Sequence, residues 1–290
     1  RLGDFYEMFD EDARIASREL DLTLTTRDRN KPKEEQTPMC GVPFHSVDSY
    51  IARLVQKGYK VAICEQMEDP AQAKGIVKRD VIRVITPGTV IESNLLSDKK
   101  NNYLCALYMG EFEYGVCFCD VSTAEIYATS FSGANMDSRL LNELGTYSPA
   151  EVISNLGASK FKDTAEFIKS RLGSMLNDNQ PFRFEFDACL DRMKSQFEET
   201  LREDDTTDRA MVCAVGAMLD YVRDTQKKDI GYINKLNIYS DGQYLEMDMS
   251  TRRNLELCET MLTKDKKGSL LWVLDKTGTA MGARLLRSQI

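Results

Sequence analysis

The spacing of apolar positions divides the chain into short alternating segments and a few helical ones. Residues 1–9, RLGDFYEMF, read as a short strand. In residues 10–21, Ala13, Ala16 and Leu20 recur at helical spacing behind an acidic start, the charge that a helix N-terminus favours. LTLTT (22–26) alternates as a strand and DRNKPKEEQT (28–37) is a polar loop. PMCGVPFHS (38–46) reads as a turn punctuated by proline and glycine. Ser46 is placed to cap the next helix, in which Val47, Tyr50, Ile51, Leu54 and Val55 share one face and which Gly58 closes. YKVAICEQ (59–66) and KRDVIRVIT (78–86) read as strands. This alternation predicts a small mixed-sheet α/β domain over residues 1–88, ending at the TPGT turn (86–89).

A second α/β domain is expected over residues 89–236. NYLCALYM (102–109), EYGVCFCDV (113–121) and AEIYATSF (124–131) form a three-stranded meander. Helices and strands then alternate through MDSRLLNEL, EVIS, DTAEFIKSRL, FRFEF and CLDRMKSQF. Residues 208–226 give the clearest helix: Met211, Ala214, Val215, Met218, Leu219 and Val222 make a stripe with a buried face. Residues 237–290 open a third, all-α region. QYLEMDM (243–249) alternates, but STRRNLELCETML, SLLWVLDKT and TAMGARLLRSQI are helical. The start at Arg1 within a strand and the end at Ile290 within a helical pattern read as cuts in a longer protein.

Composition changes this picture little. With 42% hydrophobic and 29% charged residues the chain is ordinary globular protein. The net charge of −8 excludes a basic, histone-like nucleic-acid coat, so any contact with nucleic acid comes from a few placed groups. No apolar stretch approaches a membrane span. The eight cysteines include no CxxC pair, and Cys117 and Cys119 point to one strand face, so reduced core thiols in the cytoplasm are expected.

The available chemistry is sparse. His45 is the single histidine and has no GxSxG elbow to serve; it reads as a turn residue. Asp120 ends a strand, but a metal-dependent nuclease needs several converging carboxylates and no companion set is visible. There is no P-loop and no GxGxxG, so the chain itself is not expected to be an enzyme or to hold a cofactor or metal. Lys264, Lys266 and Lys267 read as a solvated loop. The opening GDFYEMF is unusual for a plain strand. If extended, it places Phe5, Glu7 and Phe9 on one face, an acid between two aromatics. Read from composition alone, Phe5 and Phe9 would enter the core and Glu7 would sit at an exposed edge.

Six segments, in this order, resemble the MutS family of bacterial DNA mismatch-recognition proteins: GDFYEMF (3–9), PMCGVPFHS (38–46), VAICEQMEDP (61–70), VIRVITPGT (81–89), STRRNLEL (250–257) and TAMGARLLRSQI (279–290). The resemblance implies a mismatch-recognition domain over 1–88, an RNase H-like connector without nuclease activity over 89–236, and the start of a helical lever and core over 237–290. It implies that Phe5 and Glu7 are the family's Phe-x-Glu reading element, which overturns the buried-core reading of Phe5. Asp4, Arg27 and Met39 fall beside the DNA by the same resemblance, and Lys74, Lys78 and Arg79 are candidate phosphate contacts. The implied partners are mismatched double-stranded DNA, a MutL-type protein docking on the connector, and a second copy in a homodimer. ATP and Mg would belong to a C-terminal ATPase domain absent from this chain. The competing readings are a small-molecule enzyme using Asp120 or His45, and an interaction scaffold in which Phe5 is sealed inside. Exposure of the Phe5 ring separates them.

Overall fold

A glycine turn sets up the first strand. In the computed structural model, which describes residues 1–28, 30, 32–68, 75–91, 100–240 and 247–290, Gly3 and Asp4 form a two-residue turn. Gly3 has φ +57°, and the backbone groups of Leu2 and Phe5 bond each other at 2.8 and 3.2 Å. Glycine takes that left-handed conformation without steric cost, which is why tight hairpins use it there. β1 (Phe5–Phe9) runs directly into α1 (Asp10–Leu20), which buries Ala13, Ala16 and Leu20. The expected strand at 22–26 shrinks to β2 (Thr25–Thr26). Leu22 spends its backbone on the end of α1: its amide donates to Ser17 O at 3.0 Å and its carbonyl accepts the Ser17 hydroxyl at 2.6 Å.

The segment PMCGVPFHS is not a turn. Its first six residues are β3 (Pro38–Pro43), the middle strand of a three-stranded antiparallel sheet ordered β1-β3-β2. Both prolines sit at the strand's ends, where a missing N–H does least damage to the ladder. A short 3-10 turn over Phe44–Ser46 leads into α2 (Val47–Gln56), which buries Ile51, Leu54 and Val55. Ser46 does not cap this helix; its hydroxyl donates back to Pro43 O at 3.3 Å. The C-terminus closes as expected, with the amides of Gly58 and Tyr59 donating to Val55 O and Leu54 O. β4 (Val61–Gln66) and β5 (Arg79–Ile85) pair antiparallel as a separate two-stranded sheet. These elements, residues 1–87, form one compact unit together with residues 224–229.

The second unit comprises residues 88–223 and 230–290. Its strands are β6 (Leu104–Met109), β7 (Glu113–Asp120) and β8 (Glu125–Ser132), followed by α3 (Met136–Tyr147) and β9 (Glu151–Ser154). Next come α4 (Lys162–Glu166), β10 (Met175–Asn177), α5 (Phe186–Phe197), α6 (Arg209–Gln226) and β11 (Lys235–Ile238). The sheet order is β10-β9-β6-β7-β8-β11, and only β7 runs against the others. Five of these strands, β8-β7-β6-β9-β10, follow the 3-2-1-4-5 order of an RNase H-like sheet, with β11 added beside β8. FRFEF is not one of them: Pro181–Phe184 is a 3-10 turn leading into α5.

Alternation along the strands feeds two cores. Leu104, Ala106, Cys117, Cys119 and Ile126 pack with residues of α5 and α6, while Cys105, Leu107, Val116 and Phe118 pack with α3 and α4. With both faces covered, the strands read as near-continuous apolar runs. α6 is buried beyond its expected stripe, since Val212, Cys213 and Ala217 are also fully enclosed. Gly216 makes this possible: a Cβ there would lie 2.3 Å from Cys189 Cα, so α5 and α6 meet backbone to backbone.

Three short helices end the chain, each with a side-chain cap. Asp248 caps α7 (Met249–Asn254), Ser269 caps α8 (Leu270–Leu274) and Thr279 caps α9 (Ala280–Ser288). The helix expected to continue through residue 262 stops at Asn254 because Glu256 turns to φ +48° and its carbonyl accepts from Leu270 N. Lys266, placed in a solvated loop, instead pairs with Asp275. The first four residues of QYLEMDM lie outside the described residues. Among the described residues no helix is long and apolar enough to cross a membrane.

Candidate nucleic-acid interface

Strand register collects the outward side chains of the first sheet. Phe5 pairs with Pro43, Glu7 with Gly41 and Phe9 with Met39, and β2 extends the row with Thr25 beside Met39. Directly paired residues stand on the same face, so Phe5, Glu7, Phe9 and Met39 share one side. On the reverse, Met8 and Cys40 pack with Ala13, Ala16, Leu20 and Leu54. The helices therefore cover one face of β1 and β3, the one opposite Phe5 and Glu7.

Phe5 is 47% exposed at the strand end beside the Gly3–Asp4 turn, so a scaffold with this ring sealed inside does not describe the molecule. Glu7 is half-buried two residues along. Its cross-strand neighbour Gly41 has no side chain; a Cβ there would sit 3.2 Å from Tyr6 O and 3.5 Å from Glu7 Cγ. The missing side chain leaves room over the carboxylate. Asp4 is exposed in the turn, and its carbonyl accepts the Phe44 amide at 2.9 Å. Phe44 is itself 39% exposed, with the Arg1 guanidinium 4.3 Å above its ring. Phe44 has no signal of its own in the sequence, because the prolines and glycine around it mask the strand whose end leads into its turn.

The cationic candidates separate. Arg27 is exposed and follows β2, whose Thr26 pairs with Pro38, at the end of the sheet away from Phe5. Lys78 is exposed at the start of β5, and its amide donates to Glu68 Oε1 at 2.6 Å. Arg79 is half-buried and holds backbone: its guanidinium donates to Val77 O at 3.1 Å and Arg1 O at 3.2 Å. Lys74 lies outside the described residues.

On the reverse face, the Tyr6 hydroxyl donates to Glu65 Oε1 of β4. Burial, reinforced by that carboxylate, pushes the Tyr6 phenol up to about 12. The two enzyme candidates occupy ordinary structural places. Asp120 is fully buried, accepting from Asn102 N at 3.1 Å, Ser122 N at 2.9 Å and Ser122 Oγ at 2.6 Å; it organises the turn from β7 to β8. His45 lies in the 3-10 turn, edge-on to Phe44 at 5.8 Å. Among the described residues, no three His, Cys, Asp or Glu side chains gather as metal ligands would. All eight cysteines are free and six are buried.

Family models match in chain order: MutS domain I over residues 1–94, MutS domain II over 102–234 and MutS domain III over 250–290. The chain belongs to the MutS family. Full-chain similarity agrees with this. The DNA mismatch repair protein MutS of Ruminiclostridium cellulolyticum is 50% identical over 290 residues, covering 100% of this chain and 33% of the relative. The protein of that name from Acetivibrio thermocellus is 47% identical with the same coverage. That from Brevibacillus brevis is 48% identical over 100% of this chain and 31% of its own length. The chain thus spans about a third of the length of these MutS relatives. The exposed sheet face carrying Phe5 and Glu7 lies within the MutS domain I match, and five strands of the six-stranded sheet lie within the domain II match, with β11 just beyond it.

Proposed function

We propose that this chain reads mispaired duplex DNA for mismatch repair, with Phe5 as a wedge and Glu7 as a second probe. The observation that carries the reading is Phe5 itself: a half-exposed aromatic ring at the supported end of a strand, with Glu7 on the same open face. The relatives' name, DNA mismatch repair protein, supports the same assignment.

The physics favours testing the stack over listing base edges. The minor groove presents a degenerate pattern of donors and acceptors, so a mispair cannot be identified there by its chemistry alone. An aromatic side chain inserted between base steps unstacks them and kinks the duplex, at a cost of a few kcal/mol per step. That cost is lowest where pairing is already faulty. Phe5 would convert lost pairing stability into binding preference, whatever the mispair. Glu7 adds discrimination. A carboxylate here accepts from N–H groups of the displaced base and repels an intact phosphate backbone, which penalises normal duplex more than a kinked mispair. Asp4 adjoins this contact, Met39 stands farther along the same face and Arg27 at the sheet's far end, and Lys78 and Arg79 are the further candidate phosphate contacts.

In the full-length protein the same reading includes conversion to a sliding clamp by ATP and Mg in a C-terminal ATPase domain. It also includes a homodimer in which one Phe5 engages the mispair, and a MutL-type partner docking on residues 89–236. The deciding experiment compares the full-length protein and its Phe5→Ala form on single-mispair and perfect duplexes at matched salt. Mispair affinity is expected to fall about tenfold or more, the equivalent of losing one wedge contact, with perfect-duplex affinity unchanged. An equal loss on both duplexes removes the wedge.

A further inference from the structure

The reading strand is held from behind by a polar tie. The reverse face of β1 does not close fully on its neighbours: a cavity of about 90 Å³ lies there, lined by Tyr6, Met8, Ile51, Leu54, Val61 and Ile63 among others. Where packing is incomplete, dispersion contacts that would fix the strand are forfeited. Tyr6, which lines this gap, donates its hydroxyl to the Glu65 carboxylate on β4. Arg1 joins the same carboxylate at 3.8 Å, and its Nε donates to Gly3 O at 3.1 Å, inside the turn that precedes Phe5. Arg79 of β5 grips Arg1 O at 3.2 Å. The strand and turn that present Phe5 are thereby fastened to the β4–β5 sheet, and the Glu65 carboxylate is the tie that reaches β1 itself through Tyr6.

We infer that Tyr6 and Glu65 are positioning residues for the Phe5 wedge, holding β1 against the reaction force of base unstacking. The inference rests on the wedge reading proposed above. Tyr6 and Phe5 are adjacent in β1 and point to opposite faces, so a load on the Phe5 ring acts on the same backbone that the phenol anchors. A hydrogen bond to a charged group is among the stronger single ties available to a half-buried side chain. The phenol stays protonated, and so able to donate, well beyond neutral pH. Arg1, the ionic partner of Glu65, is partly exposed, so Glu65→Gln does not strand a fully buried charge.

The test uses the full-length protein with Tyr6→Phe, Glu65→Gln, Phe5→Ala and the Tyr6→Phe/Phe5→Ala double variant. Each is titrated against single-mispair and perfect duplexes at matched salt. Fluorescence of 2-aminopurine beside the mispair reports unstacking, and thermal unfolding reports stability. Tyr6→Phe is expected to weaken mispair binding about tenfold and to lower the 2-aminopurine signal, with perfect-duplex affinity within about twofold. The same substitution in the Phe5→Ala background is expected to change nothing further, because the residue then has no wedge to support. Glu65→Gln should follow Tyr6→Phe in direction. Three results overturn the positioning role: wild-type mispair binding by Tyr6→Phe, an equal loss on both duplexes, or an undiminished loss in the Phe5→Ala background. Phe5→Ala alone separates the two levels: if it binds mispairs normally the wedge itself fails, whereas a loss there with none in Tyr6→Phe removes only the positioning role.

Discussion

Glu7 faces a glycine across the ladder, and that pairing sets what the carboxylate can reach. The amide Gln has nearly the same shape but carries no charge to repel phosphate, so Glu7→Gln is expected to strengthen perfect-duplex binding about tenfold while mispair binding changes little. Discrimination then falls from the homoduplex side. Competition binding at fixed salt checks this; unchanged homoduplex affinity with a matching loss on mispairs would count against a repulsive role. Gly41→Val attacks the same space from the partner strand. Its Cβ would arrive 3.2 Å from Tyr6 O, and its branches would crowd Glu7, whose Cγ is 3.5 Å from that Cβ. Valine suits a strand backbone, so the expected result is a folded protein with weakened mispair preference. A Gly41→Val protein that discriminates normally would show that the open space over Glu7 has no part in reading.

At the scale of elements, what was legible in the sequence followed from period. The helix at Val47–Gln56, the long helix α6 and the β6-β7-β8 meander each carry one clean repeat, and they stand where the spacing puts them. β3 was not legible because Pro38, Gly41 and Pro43 carry turn chemistry locally, while its strand identity comes from partners on both sides. The Tyr6–Glu65 tie joins residues 59 positions apart, and no local pattern encodes it. Glu151 is a similar case in the second unit. Fully buried, it accepts the Gly88 amide at 2.9 Å, the Tyr221 hydroxyl at 2.5 Å and the Asn177 amide, tying the start of the unit and α6 to β9. Glu151→Ala leaves those donors buried without this acceptor, and a loss of about 3 kcal/mol or more is expected in urea denaturation. Gly216→Ala is expected to cost about 1–3 kcal/mol in the same assay, since its methyl group must displace the backbone of α5. The short helix α8 has a pH signature. Lys266, with the hydroxyl and amide of Thr277, holds the Asp275 carboxyl well below the usual carboxylate range. A depressed carboxyl contributes stability that is complete above its unfolded value and is lost as pH falls through the folded one. The single tryptophan, Trp272, lies in α8 and reports the transition. Its fluorescence should hold at neutral pH and change in strong acid, and Asp275→Asn, which has no carboxyl to titrate, should remove that transition and show the acid-form signal already at neutral pH.

For the whole molecule, the decisive quantity is charge. A chain with net charge −8 approaches a polyanion against its own average field, so its contact with DNA rests on few cations and on the wedge. Of the candidate phosphate contacts described, Arg27 and Lys78 are exposed, while Arg79 already donates to two carbonyls. Each phosphate neutralised contributes about −0.9 to the slope of log affinity against log salt. With Lys74, which lies outside the described residues, four such contacts give a slope of about −4 at most for the 290-residue chain. A steeper slope is expected of the full-length protein if, as proposed, it encloses the duplex with further domains. Measuring both proteins on one mispaired duplex across a salt series separates the two contributions. The wedge term is largely independent of salt while the Glu7 repulsion is screened, so the ratio of mispaired to perfect affinity should fall by no more than about the tenfold that Glu7→Gln removes. A ratio that collapses with added salt would mean that charge, and not ring insertion, distinguishes the two duplexes.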